Sequence, residues 1–278
     1  VNISESTDST ARNDLARQVS VTLSLVVCIV GSMIGVGVFG GTPIAQAAGG
    51  ALSADSTLLA PATPAFSIWS VIYTGLVAYT AWQWLPSQKS NPRQRSLGWV
   101  VACSMLLNAA WILSVQAGWL PVSVLVIVAL LVVLVVAFRR FISRRPASVP
   151  EAVVVDGTLG LYLGWASVAV CANIAAALKA AGFSGFGWRP EVWSIAVLVV
   201  VAAVGIAVAV KGEGRLALAA AIAWGLAWIT VGRSADSPES APTAIAAAAA
   251  AAAVLGAAII VRTRSMTALA RVRSGQER

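Results

Sequence analysis

Residues 152–178 read AVVVDGTLGLYLGWASVAVCANIAAAL, and this stretch decides the fold. It exceeds the roughly 20 apolar residues that carry a helix across a bilayer. Within it, Tyr162, Trp165, Ala169 and Asn173 recur at steps that place all four on one helical face. Lipid-exposed surface favours Leu or Val, yet this face carries a phenol, an indole and a carboxamide. A helix in hydrocarbon keeps polar groups only where they meet protein, water or a ligand. The stripe therefore points inward. Two readings stand for it: a ligand-lining face, or a hydrogen-bonded helix–helix seam.

The rest of the chain agrees with a lipid solvent. Hydrophobic residues make up 59% of the 278 and charged residues 11%, where soluble domains carry about 25% charged residues. So few charges cannot cover a globular surface. Histidine is absent, which removes the commonest metal ligand and the usual proton switch near neutral pH. Cys28, Cys103 and Cys171 sit in separate apolar segments without metal-binding spacing, and read as small buried hydrophobes. The net charge of +8 lies in short loops and tails, as membrane topology requires, and forms no basic stripe of the kind that binds nucleic acid.

Eight spans are expected, at 20–41, 65–85, 97–117, 120–139, 152–178, 191–210, 215–232 and 242–261. Proline and glycine punctuate most of their ends: Pro61 and Pro64, Pro86, Gly118 and Pro121, Pro146 and Pro150, Pro190, Gly212 and Gly214, Pro238 and Pro242. Residues 1–18 are polar and of mixed charge, which predicts a disordered cytoplasmic tail. They lack the features of a cleaved signal, so the first span is expected to be retained. The first span holds two GxxxG spacings, Gly31 to Gly35 and Gly37 to Gly41. These permit close packing within the chain or a homodimer between chains. The eighth span contains eight consecutive alanines, Ala246 to Ala253. It reads either as a tightly packed helix or as a low-complexity segment.

Basic residues orient the chain in a cell membrane. With the N-terminus in the cytoplasm, the inner segments hold Arg12, Arg17, Lys89, Arg93, Arg95, Arg139, Arg140, Arg144, Arg145, Lys211, Arg215, Arg262, Arg264, Arg271, Arg273 and Arg278. Only Lys179, Arg189 and Arg233 fall outside. That asymmetry predicts an even number of spans with both termini cytoplasmic, and a basic tail over 263–278.

Two further helices carry polar and aromatic residues at helical spacing. The second span has Trp69 and Tyr73; the third has Asn108 and Trp111. Trp82, Trp84, Trp99, Trp119, Trp188 and Trp193 lie near span ends, where indoles anchor at the membrane interface. Trp111, Trp165 and Asn173 lie deeper, and buried Asn108 and Asn173 need partners.

In these motifs the chain resembles the tryptophan-rich sensory proteins of the TspO/MBR (translocator protein) family. That family's second helix opens with W-x-x-x-Y after a Pro-rich loop, here Trp69 to Tyr73. Its third carries L-N-x-x-W, here Leu107, Asn108 and Trp111. Its fifth carries Y-x-x-W-x-x-x-A-x-x-x-N, here Tyr162 to Asn173. The resemblance covers residues 20–181. It implies an all-α, polytopic membrane bundle with a five-helix core over 19–181, followed here by a three-helix membrane extension over 182–262. It further implies an intramembrane pocket for a hydrophobic, planar ligand, tetrapyrrole or sterol-like. Trp69, Tyr73, Asn108, Trp111, Tyr162, Trp165, Ala169 and Asn173 would line it, with Trp111 and Trp165 facing one cavity. A porphyrin would then be a non-covalent ligand, with no obligatory cofactor. The chain departs from the family in its first loop, where residues 42–60 lack the usual Trp, Tyr and Lys-Pro elements.

Asp156 is the acid nearest the membrane interior. An intramembrane carboxylate raises a proton or polar-ligand role. Its place early in the fifth span, close to Arg144 and Arg145, also suits a purely structural charge at a helix N-terminus. The functions expected are therefore a binding or sensory protein for a hydrophobic small molecule or, as the alternative, a transporter of one. No nucleophile–base pair, metal set or carboxylate pair marks an enzyme.

Overall fold

The computed structural model describes residues 2–38, 42–44 and 46–276, with side chains over 11–38, 42–44 and 46–267. Every regular element in these residues is helical. Eight helices are long and apolar enough to cross a membrane. They are α1 (Asn2–Gly35), α2 (Ile68–Gln83), α3 (Pro92–Gln116), α4 (Leu120–Ile142), α5 (Thr158–Ala180), α6 (Pro190–Lys211), α7 (Leu216–Ala235) and α8 (Ala241–Gln276). Their outward faces are apolar: Leu125 is 71% exposed, and Val132, Val199, Val200 and Ile245 are exposed with it. Surface of this kind is stable only against hydrocarbon. The protein is a polytopic membrane helical bundle.

The chain folds as two compact units. The first takes residues 1–50 and 69–159, the second 51–68 and 160–278. The division falls early in α5.

In the first unit, α1 packs on α3 through small residues. A Cβ on Gly31 would lie 3.2 Å from the Ala109 Cβ, and one on Gly35 2.8 Å from the Ile112 Cγ2. The Gly31 to Gly35 spacing thus serves packing within the chain. Gly37 lies in the turn after α1, and Gly41 is outside the described residues. Asn91 caps α3 by accepting from the Arg93 backbone N–H at 2.8 Å, with Pro92 at the first helical position.

Two expectations about α1 are corrected. Its helix ends at Gly35, and it begins at Asn2, so residues 2–18 are helical rather than disordered. Long-range partners hold Asp14 and Gln18. The Asp14 carboxylate accepts from Arg95 Nε and Nη2 at 2.8 and 2.5 Å, and Gln18 donates to the Gln83 carbonyl at 2.7 Å.

In the second unit, α5 and α7 approach backbone to backbone. A Cβ on Gly164 would lie 2.4 Å from the Leu218 carbonyl oxygen, and one on Gly225 2.9 Å from Val168. Gly205 of α6 meets Val254 of α8 in the same way. The turn from α6 to α7 depends on Gly214, whose φ of 71° and approach to the Arg262 backbone both exclude a side chain. The alanine run resolves as a packed helix: Ala244, Ala247, Ala250, Val254 and Ala258 form one buried stripe. Small side chains there let neighbouring helices come close. Of the three cysteines, Cys28 is buried, Cys171 half-buried and Cys103 exposed on a lipid-facing surface. Cys103 is thus not the buried hydrophobe that its sequence context suggested.

Candidate functional site

The first unit gathers four residues of the expected site within two helices. Trp69 and Tyr73 lie one turn apart on α2, and their rings stack with centroids 5.3 Å apart and planes 18° from parallel. Asn108 of α3 is fully buried. Its Nδ2 donates to the Tyr73 hydroxyl at 3.0 Å and reaches the Cys28 sulfur of α1 at 3.4 Å. Its Oδ1 has no hydrogen-bond partner among the described residues. Trp111, one turn further along α3, is 6% exposed. The arrangement is an aromatic platform with a fixed, buried carboxamide beside it. An unfilled acceptor in such a place is costly, by about 1–3 kcal/mol, unless water or a ligand donates to it.

In the second unit the α5 stripe is buried. Tyr162, Trp165 and Asn173 are each at most 1% exposed, and Ala169 is half-buried. The indole of Trp165 meets Phe66 edge-on at 5.8 Å. Phe66 belongs to the short helical turn Thr63–Ser67, which α7 holds in place. Trp224 Nε1 donates to the Ala65 carbonyl at 2.9 Å, and the Trp228 carbonyl accepts from the Ala62 N–H at 3.1 Å. Arg233 of α7 donates to the Ala54 carbonyl at 2.7 Å. Further out on the same segment, the Ser53 hydroxyl donates to Asp55 and holds its carboxyl below the usual range. Phe66 and the two α7 tryptophans were not assigned to the site from sequence. Only the fold reveals that residues 51–68 dock on α7.

Asp156 sits in a π-helical turn, Ala152–Gly157, ahead of α5. Arg93 of α3 forms an ion pair with it. Arg93 also binds the Glu151 carboxylate at 3.0 Å and donates from Nε to the Arg144 carbonyl at 3.1 Å. Glu151 accepts in turn from the Ala147 N–H at 2.7 Å. Arg93, Glu151 and Asp156 are all buried. One guanidinium shared by two carboxylates, with backbone groups filling the remaining positions, is a satisfied ionic knot. Among the described residues, no group of three or more His, Cys, Asp or Glu could hold a metal ion.

The family model for TSPO-like protein matches residues 19–261. The matched region includes α6, α7 and much of α8, so it extends well beyond the motifs that carried the sequence resemblance. Among curated proteins and among solved structures there is no significant match.

Proposed function

We propose that this chain, which belongs to the TSPO-like protein family, binds a planar hydrophobic ligand of the tetrapyrrole or sterol class within the membrane. Family membership supports a sensory or ligand-binding role, that of a receptor rather than an enzyme. The observation that carries the finer reading is the unpartnered Asn108 Oδ1, buried beside the stacked Trp69 and Tyr73. Aromatic faces favour a flat apolar molecule, and the carboxamide oxygen asks for a donor on it. A pyrrole N–H or a sterol hydroxyl supplies one. In this reading Trp69, Tyr73, Asn108 and Trp111 of the first unit line the ligand site; the stripe of Tyr162, Trp165, Ala169 and Asn173 in the second unit is the other candidate lining face. The transporter alternative draws on the eight helices and on Asp156, which pairs with Arg93.

The chain has no histidine, so a porphyrin would be held by stacking and burial rather than by axial imidazole. Pyrrole N–H donors exist only in the metal-free macrocycle. Metal-free protoporphyrin should therefore bind at least as tightly as the iron form when titrated by absorption into the purified protein. A strict requirement for iron, or the spectrum of a strongly ligated low-spin haem, would overturn the assignment.

The distribution of basic residues supports placing both termini in the cytoplasm. Ser90 and Ser237 are both exposed, in connections after α2 and α7. Cysteines introduced there, Ser90→Cys and Ser237→Cys, should react with a membrane-impermeant thiol reagent from opposite sides of sealed vesicles. Labelling from the same side would exclude this topology.

A further inference from the structure

The first unit contains a second buried polar site that the proposed ligand site does not use. Its centre is Arg17 of α1, which is 1% exposed. The Arg17 side chain lies across Gly98 of α3, where a Cβ would fall 2.6 Å from its Cγ and Cδ. From there it runs toward the start of α3, and its Nη2 donates to the Lys89 carbonyl at 2.7 Å. Gln94 stands one turn before Gly98 on α3. The neighbouring α2 contributes Tyr79 and, one turn on, Gln83, whose carbonyl accepts from Gln18 beside Arg17. The Tyr79 phenol lies within electrostatic reach of both Arg17 and Arg93.

Tyr79, Gln83 and Gln94 are fully buried. Among the described residues, none of Arg17 Nε and Nη1, Tyr79 Oη, or the side-chain amide atoms of Gln83 and Gln94 has a hydrogen-bond partner. So many unfilled groups on three adjoining helices do not persist in a dry interior. Their chemistry is biased toward one kind of guest. N–H and O–H donors outnumber the acceptor oxygens. The nearest counter-charge to Arg17 is Asp14 at 3.8 Å, and Arg95 already engages both of that carboxylate's oxygens. The guanidinium also lies toward the positive end of the α3 dipole.

We infer that Arg17, Tyr79, Gln83 and Gln94 form a closed binding site for a small inorganic anion of halide size. The site is separate from the aromatic platform of Trp69 and Tyr73, and its existence does not depend on what that platform binds.

The test is thermal unfolding of the purified full chain at constant ionic strength, with sodium gluconate replaced stepwise by sodium bromide. Gluconate is too large to enter a closed site. Bromide should raise the wild-type unfolding temperature saturably, as any ligand selective for the folded state does. Tyr79→Phe should be as stable as wild type in gluconate, because its hydroxyl has no protein partner to lose. In bromide its half-saturation should move about tenfold higher, the loss of one hydrogen bond to a charged group. Gln94→Leu should act in the same direction. Crystals grown in bromide should show an anomalous peak beside Arg17. Unfolding that is indifferent to the anion would overturn the inference. So would a bromide effect that Tyr79→Phe and Gln94→Leu leave unchanged, which would place the ion elsewhere on the basic surface. Water alone in the density among these side chains would overturn it too.

Discussion

Arg93→Met is expected to be among the most destabilising single substitutions in the chain. It removes the guanidinium that the buried Glu151 and Asp156 carboxylates share and empties the hydrogen bond to the Arg144 carbonyl. Removing one partner of a buried ion pair costs about 3–5 kcal/mol, or on the order of 10 °C in unfolding temperature for a chain of this size. The wild-type knot itself need contribute little, since apolar replacements of buried ion pairs are often neutral. The triple variant Arg93→Met, Glu151→Gln, Asp156→Asn should therefore recover much of the loss. Thermal unfolding of the purified variants measures both. If Arg93→Met unfolds within a degree or two of wild type, the knot is not the buried structure described above. If the triple variant is no better than the single, the loss is one of packing rather than of stranded charge.

Gly164→Ala is expected to disrupt the second unit. The added methyl would sit 2.4 Å from the Leu218 carbonyl oxygen and 2.8 Å from the Ala221 Cβ. A helical carbonyl, held by the N–H four residues on, cannot rotate away, so α5 and α7 must separate. Overpacking typically costs 1–3 kcal/mol, and a backbone clash belongs at about the upper end of that range or beyond. Gly256 of α8 provides the control, because a Cβ there meets nothing within 4 Å. Gly256→Ala should be neutral or stabilising by up to roughly 1 kcal/mol, the difference in helix propensity. Unfolding temperatures of the two variants should therefore fall on opposite sides of wild type, or nearly so. Equal behaviour would mean that α5 and α7 do not pack through Gly164.

Much of this architecture was legible from local sequence because lipid simplifies the problem. Apolar stretches must be helical, and polar residues within them must face inward. That reasoning placed eight spans and marked Tyr162, Trp165 and Asn173 as buried, as they are. Interfacial anchoring likewise explains why Trp84, Trp99, Trp119 and Trp188 are exposed.

Long-range partners were not legible. Residues 11–18 look like a solvated tail until Arg95 and Gln83, far along the chain, supply partners for Asp14 and Gln18. Spacing could not show that Arg93 reaches Asp156 from 63 residues away. Nor could spacing alone separate glycines that bring helices into contact from those that merely occur in them. Gly160 and Gly164 repeat the GxxxG spacing of α1, yet only the position of α7 shows what they accommodate. The alanine run was ambiguous for a related reason. Alanine carries little hydrophobic signal, and its use here is to be small.

The proposed function requires that the aromatic platform and its buried carboxamide bind a flat apolar ligand. Titration of metal-free protoporphyrin into wild type, Trp69→Leu and Asn108→Leu, followed by porphyrin absorption and tryptophan quenching, decides it. Binding to wild type should saturate, and each variant should bind roughly tenfold or more weakly, on the scale of one stacking contact or one buried hydrogen bond lost. Binding that does not saturate, or an affinity that neither substitution changes, would contradict it.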